Sequence, residues 1–234
     1  MLTNQTPMQL NIKSSAEFEK LLQALAEEAM HANFFLKLFE DLRLATYEYL
    51  YEFNQANAFW GLTIQALTDA TLIRLCRIYD SHPKAVNLPN LLDTIKANIH
   101  LFDVDDFRQR LKDNPFVDSL SHSARKPDIA QLDEDIKYVS DKNPLVQKLL
   151  IWRNNILAHR NAGNVIKERN MAVEYPFSLK DATDLLGRST VIINHYSSLF
   201  RAVTFSPEMV GQDDYMYVLS CMRANSKRLA EEQD

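Results

Sequence analysis

Glycine is scarce in this chain. Only four of the 234 residues are glycines, whereas about 7% is typical of globular proteins. Loops that wrap backbone around phosphates, such as the P-loop and the dinucleotide fingerprint, need several closely spaced glycines. The four positions are far apart and form neither motif: Gly61, Gly163, Gly187 and Gly211. The scarcity excludes the nucleotide-dependent enzymes that use those motifs, and it predicts few turns and long helices.

Cysteine is almost as rare, with Cys76 and Cys221 far apart in apolar helical stretches. This usage predicts buried free thiols in a reducing compartment. The sequence contains no C-x-x-C and no H-E-x-x-H spacing, so neither a structural zinc nor a zincin site is expected. We expect no metal and no other cofactor.

Long apolar runs are also missing. No stretch of about 18 uninterrupted apolar residues exists, and the polar residues 1–13 lack the apolar core of a signal peptide. We therefore expect a cytoplasmic protein with no membrane segment. The net charge of −5 argues against a general nucleic-acid coat, and no DNA partner is expected, although a local basic patch remains compatible with it.

What the chain does have is helical periodicity. Its composition of 46% apolar and 24% charged residues is sufficient for a packed core, and no strand-like run is evident. The pattern predicts an all-α bundle of about five or six main helices. We expect one domain over 1–234, with N-terminal helices in 14–52, a core over 55–203, an irregular insertion at 112–131 and a C-terminal helix near 207–230. Residues 164–176 fit either a short hairpin or a loop.

The clearest helix is predicted over 55–80, where apolar residues cover so much of the surface that a central position is expected. Among its polar residues, Arg77 and Asp80 are i,i+3 neighbours that can pair. One apolar stripe consists of Phe59, Leu62, Ala66, Ala70 and Ile73, and a second set of Trp60, Ile64, Leu67 and Leu75 widens it.

The run Trp152–Arg160 carries the candidate chemistry. Asn143 and Pro144 predict the start of a helix that extends to about His159. Six positions rotate a straight α-helix by about 600°, which leaves Arg153 and His159 about 120° apart. Two arrangements resolve this: a frayed last turn at His159, or a two-fold dimer in which each chain supplies part of the site.

The order of these residues resembles the motif of the HEPN superfamily, in which Arg, a polar residue and, after four to six residues, His follow one another. Together with Trp60–Asp80 and Asn87–Leu92, the motif is similar to the AbiU-type abortive-infection branch of HEPN over residues 55–200. The resemblance implies an all-helical homodimer that cleaves RNA without metal, in phage defence or as a toxin. It also implies an antitoxin or another protein as a further partner.

Under this resemblance three residues are expected to be catalytic. His159 would transfer protons, Arg153 would hold the phosphate with a permanent bidentate charge, and Asn154 would contact the phosphate or the ribose 2′-OH. Supporting roles are expected for Arg77, Asp80 and Asn155, the last of which would share a helix face with His159 at i,i+4. Residues 148–169 contain five basic residues and one acidic one. In this segment Lys148, Arg160 and Lys167 are expected to bind the substrate.

Two alternatives stay open. The first is a non-catalytic HEPN-like helical homodimer that acts as an interaction or sensor module, in which Arg153 pairs with an acid on a neighbouring helix. The second is a helical partner-binding protein outside HEPN. The other histidines have no companion at a useful spacing, and His195, beside Tyr196 in an apolar helix, is expected to be a hydrogen-bonded core residue.

Overall fold

The computed structural model describes residues 9–157 and 162–232, and every regular element in those two ranges is helical. Six of the helices have ten or more residues, so the prediction of an all-α bundle with five or six main helices is confirmed. The elements are α1 (Ser15–Glu48), α2 (Leu50–Gln55), α3 (Asn57–Ile78), α4 (Leu88–Ala97), a 3₁₀ turn (Ile99–Phe102), α5 (Val104–Arg110), α6 (Val117–Ser121), α7 (Ile129–Val139), α8 (Pro144–Trp152), a π-helical turn (Arg153–Leu157), α9 (Ala162–Ile166), α10 (Met171–Glu174), α11 (Leu179–Arg201) and α12 (Asp214–Glu231).

The main core lies between α1, α3 and α11, with α4, α7 and α8 packed around them. Local signals fix where the long helices begin. Ser14 caps α1 by accepting the backbone N–H of Glu17 at 3.2 Å, and Ser178 and Asp181 form a reciprocal capping box on α11. At one end of the core, the rings of Phe18, Phe102 and Phe200 pack edge to face, 4.8 to 5.8 Å apart.

A second apolar cluster joins both ends of the chain. Its buried members come from α1, α2, α3, α12 and the residue between the first two helices: Leu42, Ala45, Tyr49, Phe53, Trp60, Leu67 and Leu219. Arg223 of α12 adds an ion pair to the buried Glu52 of α2, with Nε 2.8 Å from Oε1. The N-terminal helices and the C-terminal helix therefore fold against each other at the end of the bundle away from α4 and α7.

The insertion at 112–131 is more ordered than its sequence indicates. It contains α6, and α7 already begins at Ile129, where the side chain of Asp128 accepts the N–H of Gln131. Arg125 is buried, donates to the carbonyl of Ser198 at 2.8 Å and stacks over Phe107. The segment is thus attached to α11 and α5. Residues 162–174 include two short helices, α9 and α10, whereas the sequence left a short hairpin or a loop open for 164–176.

A central position was expected for α3, and the structure covers only part of its surface. On its inner face Leu75 is buried in the main core, and Trp60 and Leu67 are buried in the second cluster, but Phe59 and Leu62 are 61% and 67% exposed. An apolar pattern marks a face that avoids water, and it does not say whether the same chain covers that face. Two further expectations are wrong. His195 was expected in the core and Cys221 was expected to be buried, but both side chains are exposed. In the described ranges, no helix has the length and apolar character needed to span a bilayer.

Candidate functional site

The candidate motif lies on a widened helical turn. Asn143 caps α8 by accepting the N–H of Leu145 at 2.9 Å, and Pro144 occupies the first turn, as predicted. After Trp152 the helix changes to the π-helical turn, in which hydrogen bonds run from i to i+5. The predicted 120° separation of Arg153 and His159 assumed a straight α-helix, and residues 153–157 do not form one. His159 and Arg160 lie outside the described residues.

Two asparagines support the π-helical turn. The side-chain amide of Asn155 donates to the carbonyl of Ile151 at 2.9 Å, and its Oδ1 accepts from Nδ2 of Asn164 at 3.2 Å. Asparagine side chains that bond to nearby carbonyls compete with the regular helical ladder, and π-turns within α-helices occur frequently at functional sites. Asn155 therefore connects the π-helical turn to α9.

Arg153 is fixed from two directions. Its Nη1 forms an ion pair with Oδ1 of Asp80, and its Nε donates to Oδ1 of Asn154 at 3.0 Å. Asp80 is itself held at the end of α3, because its carboxylate accepts the backbone N–H groups of Ser81 and His82 at 2.7 and 3.3 Å. Both charged side chains are 27% exposed. The guanidinium is therefore oriented by its neighbours and still reachable from solvent.

This ion pair forms one wall of an open cleft of roughly 280 Å³. The cleft lies between the C-terminal half of α3 and the π-helical turn, and its lining residues are Ile73, Cys76, Arg77, Asp80, Arg153 and Leu157. Burial raises the pKa of the Cys76 thiol to about 12, so this side chain is a neutral wall and not a nucleophile near pH 7. The lining therefore carries two guanidinium groups and one carboxylate, an arrangement suited to an anionic ligand.

Arg77 lines the cleft, but its ion-pair partner is not the one that the sequence indicates. It does not pair with Asp80; its Nη1 lies 3.2 Å from Oε1 of Glu28 on α1. The same glutamate accepts from Arg74 at 2.6 Å. Glu28 is thus a positioning residue that the sequence analysis missed, since it lies 49 residues before Arg77 and no local pattern connects the two.

The predicted substrate-binding residues that the structure describes do not lie at the cleft. Nζ of Lys148 lies 3.7 Å from the carboxylate of Asp181 on α11, and Lys167 is exposed at the end of α9. Neither residue lines the cleft. In the same basic segment, Arg169 pairs with Glu174. Within the described ranges the basic residues therefore form separate positions around the motif and not one continuous groove.

Trp152 anchors the end of α8 through contacts away from the residues that line the cleft. Its indole N–H donates to the carbonyl of Tyr175 at 2.6 Å, and its ring lies 5.9 Å from that of Phe177. It also borders an apolar pocket of roughly 150 Å³ between α1, α3 and α11. These contacts fix the end of α8 immediately before Arg153, so the direction in which the arginine leaves the helix is set by packing.

Comparison with protein families gives a match over most of the chain. The family model for AbiU2-type HEPN domains matches residues 15–219, which is most of the chain. No curated protein and no solved structure matches the chain. The match includes α1, the π-helical turn and the first part of α12, so it extends on both sides beyond residues 55–200, where the sequence motifs carry the resemblance.

Proposed function

Because the chain belongs to the AbiU2 family of HEPN domains, we propose that it is a cytoplasmic, metal-independent endoribonuclease of abortive infection, acting in phage defence or as a toxin. One observation carries the proposal. Arg153 is held by Asp80 and Asn154 at the wall of a solvent-open cleft, six positions before His159 in the sequence.

The chemistry requires a base, an acid and a positive charge near the phosphate. A base removes the proton of a ribose 2′-OH, the 2′-oxygen attacks the adjacent phosphorus, and the 5′-oxygen leaves with a proton from an acid. Histidine is suited to both transfers near neutral pH, and each is worth roughly 10² to 10⁴-fold. A guanidinium stabilises the charge that builds up on the phosphorane oxygens. In the proposal His159 transfers protons, Arg153 binds the phosphate, and Asn154 contacts the phosphate or the 2′-OH.

The residues around the motif receive supporting roles. Asp80 orients Arg153, Arg77 adds a second positive charge to the cleft, and Asn155 stabilises the π-helical turn. Lys148 and Lys167 contribute to RNA binding outside the cleft, and Arg160 is a third basic residue proposed to bind RNA. Since each chain has one motif histidine and the reaction needs both an acid and a base, the proposed enzyme is a homodimer in which two motifs act together.

The test is RNA cleavage in the presence of EDTA, with purified wild-type protein and two variants, Arg153→Ala and His159→Ala. Each has a matched control of the same residue type outside the cleft. For the arginine this is Arg169→Ala, which removes a surface ion pair with Glu174, and for the histidine it is the exposed His195→Ala. We expect the two motif variants to lose cleavage by at least about 10²-fold and the controls to keep it. A folded His159→Ala protein with full activity overturns the proposal.

A second candidate function rests on the same ion pair. Since Asp80 already neutralises Arg153 within one chain, the fold also suits a non-catalytic homodimer that serves as an interaction or sensor module. This candidate predicts no RNA cleavage, no growth inhibition on expression, and co-purification with an antitoxin or another protein. Cleavage that depends on His159 rejects it.

A further inference from the structure

A second open pocket, of roughly 450 Å³, lies where α7 ends and α8 begins. Its lining comes from α7, the loop after it, the start of α8 and one residue of α11, and includes Lys137, Tyr138, Lys142, Pro144 and Arg188. It shares no lining residue with the cleft. Pockets of this volume accommodate small ligands, so this is a candidate binding site separate from the one that contains Arg153.

The pocket is positively charged, although the chain as a whole has a net charge of −5. Three of its lining residues are cations, Lys137, Lys142 and Arg188, and one is an acid, Glu134. The acid compensates little, because its carboxylate lies 4.0 Å from Nζ of Lys137 and its side chain is 71% exposed. Pockets lined by one sign of charge attract ligands of the opposite sign. An anion is therefore the class of ligand that this pocket fits.

Arg188 is held in position by a buried carboxylate. Its Nη2 pairs with Oδ1 of Asp135, whose side chain is only 3% exposed, and its guanidinium lies 5.2 Å from the centroid of the Tyr138 ring. Asp135 also accepts from the hydroxyl of Tyr196 at 2.9 Å and from Nε2 of Gln131 at 3.1 Å. Nε of Arg188 has no acceptor in the described part of the chain, and 33% of the side chain is exposed. The guanidinium is therefore oriented in advance and keeps donors for a ligand, which lowers the entropy cost of binding.

The start of α8 adds a second feature that favours an anion. Asn143 caps this helix, and its Nδ2 donates to the carbonyl of Tyr138 at 2.8 Å, which fixes the loop between α7 and α8. A helix N-terminus carries a partial positive charge that favours phosphate groups. A phosphate monoester has about 1.5 to 2 negative charges and three acceptor oxygens near pH 7, and the planar donors of an arginine match these oxygens. One oriented guanidinium, two lysines and a helix N-terminus together suit a phosphate.

We propose that this pocket binds the phosphate group of a nucleotide, either free or within an RNA strand. Arg188 contacts the phosphate oxygens, and Lys137 and Lys142 balance the remaining charge. The two sources of phosphate are both compatible with the position of the pocket. The nine residues of α8 extend over about 14 Å and end directly before Arg153, so a strand bound at the cleft has further phosphates at distances of this order. The inference does not depend on RNA cleavage.

Calorimetric titration with adenosine 5′-monophosphate tests the site, and adenosine is the matched probe without phosphate. The double variant Lys137→Gln/Lys142→Gln removes two exposed charges from the pocket and leaves the buried ion pair behind it intact. Its affinity for the nucleotide should fall by at least about tenfold, because a hydrogen bond to a charged group contributes that much. The control double variant Lys20→Gln/Lys112→Gln removes two exposed charges elsewhere and should keep the affinity. Adenosine that binds as tightly as the nucleotide contradicts the inference.

Arg188→Lys tests the guanidinium separately from its charge. Lysine keeps a positive charge beside Asp135, so the buried carboxylate retains a partner, but it lacks the planar pair of donors. We expect nucleotide affinity to fall by about tenfold in a protein whose denaturant midpoint shows that it is folded. Unchanged affinity in this variant would contradict the contact between Arg188 and the phosphate.

An RNA oligonucleotide distinguishes the two sources of phosphate. Its affinity is measured in an Arg153→Ala background, with the pocket double variant and the control double variant side by side. If the pocket holds a phosphate of the strand, the pocket double variant should weaken RNA binding and the nucleotide should compete with the RNA. If the ligand is a free nucleotide, only nucleotide binding should weaken. The inference is wrong if the pocket double variant binds both the nucleotide and the RNA as tightly as the control does. Since none of these measurements uses cleavage, they stand apart from the test of the nuclease proposal.

Discussion

The carboxylate of Asp80 and the guanidinium of Arg153 form an ion pair across 73 residues of sequence. The pair connects the end of α3 with the beginning of the π-helical turn, the two elements that form the cleft. Asp80 keeps its position through the backbone N–H groups of Ser81 and His82. The direction of Arg153 is therefore determined by α3 as much as by its own helix.

Asp80→Asn tests this dependence. The amide preserves the shape of the side chain but removes the charge, and hydrogen bonds to charged groups contribute about 1.5–3 kcal/mol. If Asp80 orients Arg153 for the proposed reaction, single-turnover cleavage should fall by roughly 10- to 100-fold, with little change in RNA affinity. The matched control is Asp133→Asn, which breaks a half-exposed ion pair with Lys96 on the surface and should leave cleavage unchanged. Full activity of Asp80→Asn would show that Arg153 needs no orientation by α3.

Much of the fold follows from signals within a few residues of each helix end. Asn143 with Pro144 sets the start of α8, and helical periodicity places α3 at Asn57–Ile78, close to the predicted 55–80. Caps and periodicity act locally, so one chain is enough to recognise them. The family resemblance was available from the sequence for the same reason, because its motif residues lie in short blocks.

The failures share a physical cause, since each depends on long-range packing. Arg77 was expected to pair with Asp80 three positions away, but Glu28 on α1 lies closer to its guanidinium. A central position was expected for α3, but Phe59 and Leu62 on this helix are 61% and 67% exposed. The widened turn after Trp152 could not be derived either, because the Asn155–Asn164 contact joins two segments whose proximity the sequence does not show.

Arg223 should be the main attachment of α12. It pairs with the buried Glu52, donates to the carbonyl of Glu48 at 2.6 Å and stacks over Tyr49 at 3.9 Å. Arg223→Ala leaves the carboxylate of Glu52 without its partner, so the protein should unfold at a lower denaturant concentration, and proteases should release α12 earlier. Arg228→Ala on the same helix removes only an exposed contact to Glu232 and should change stability by less than about 0.5 kcal/mol. Equal effects of the two variants would contradict this role.

Alkaline pH should destabilise the protein through Cys76. Burial raises the pKa of this thiol from 9.0 to about 12. Below pH 9 the thiol is protonated in both states, whereas above pH 9 only the unfolded chain ionises. The free energy of unfolding should therefore fall by up to about 1.4 kcal/mol per pH unit from this group. Burial and the neighbouring Asp135 also raise the pKa of Tyr196, which adds a similar loss above pH 10.

Denaturant unfolding at pH 8 to 10 separates the contribution of the thiol. Cys76→Ala should lose stability at every pH, because a core side chain is shortened, but it should show a flatter decline above pH 9 than the wild type. Val139→Ala provides the control, since it also shortens a buried core side chain but removes no ionisable group, and it should leave the slope as it is. An unchanged slope in Cys76→Ala would contradict the raised pKa.

Lys167 and Lys148 should differ in their contribution to RNA binding. Lys167 is exposed at the end of α9, whereas Nζ of Lys148 lies 3.7 Å from Asp181. Each phosphate contact to single-stranded RNA contributes about 0.7 to the slope of log K against log salt. Lys167→Ala should therefore reduce that slope by about 0.7, and Lys148→Ala should reduce it less, because its charge is already partly neutralised. The measurement is RNA affinity at several salt concentrations in an Arg153→Ala background, which prevents cleavage, with the exposed Lys112→Ala as control. A slope unaffected by Lys167→Ala would remove this residue from the proposed RNA contacts and leave the cleft itself untouched.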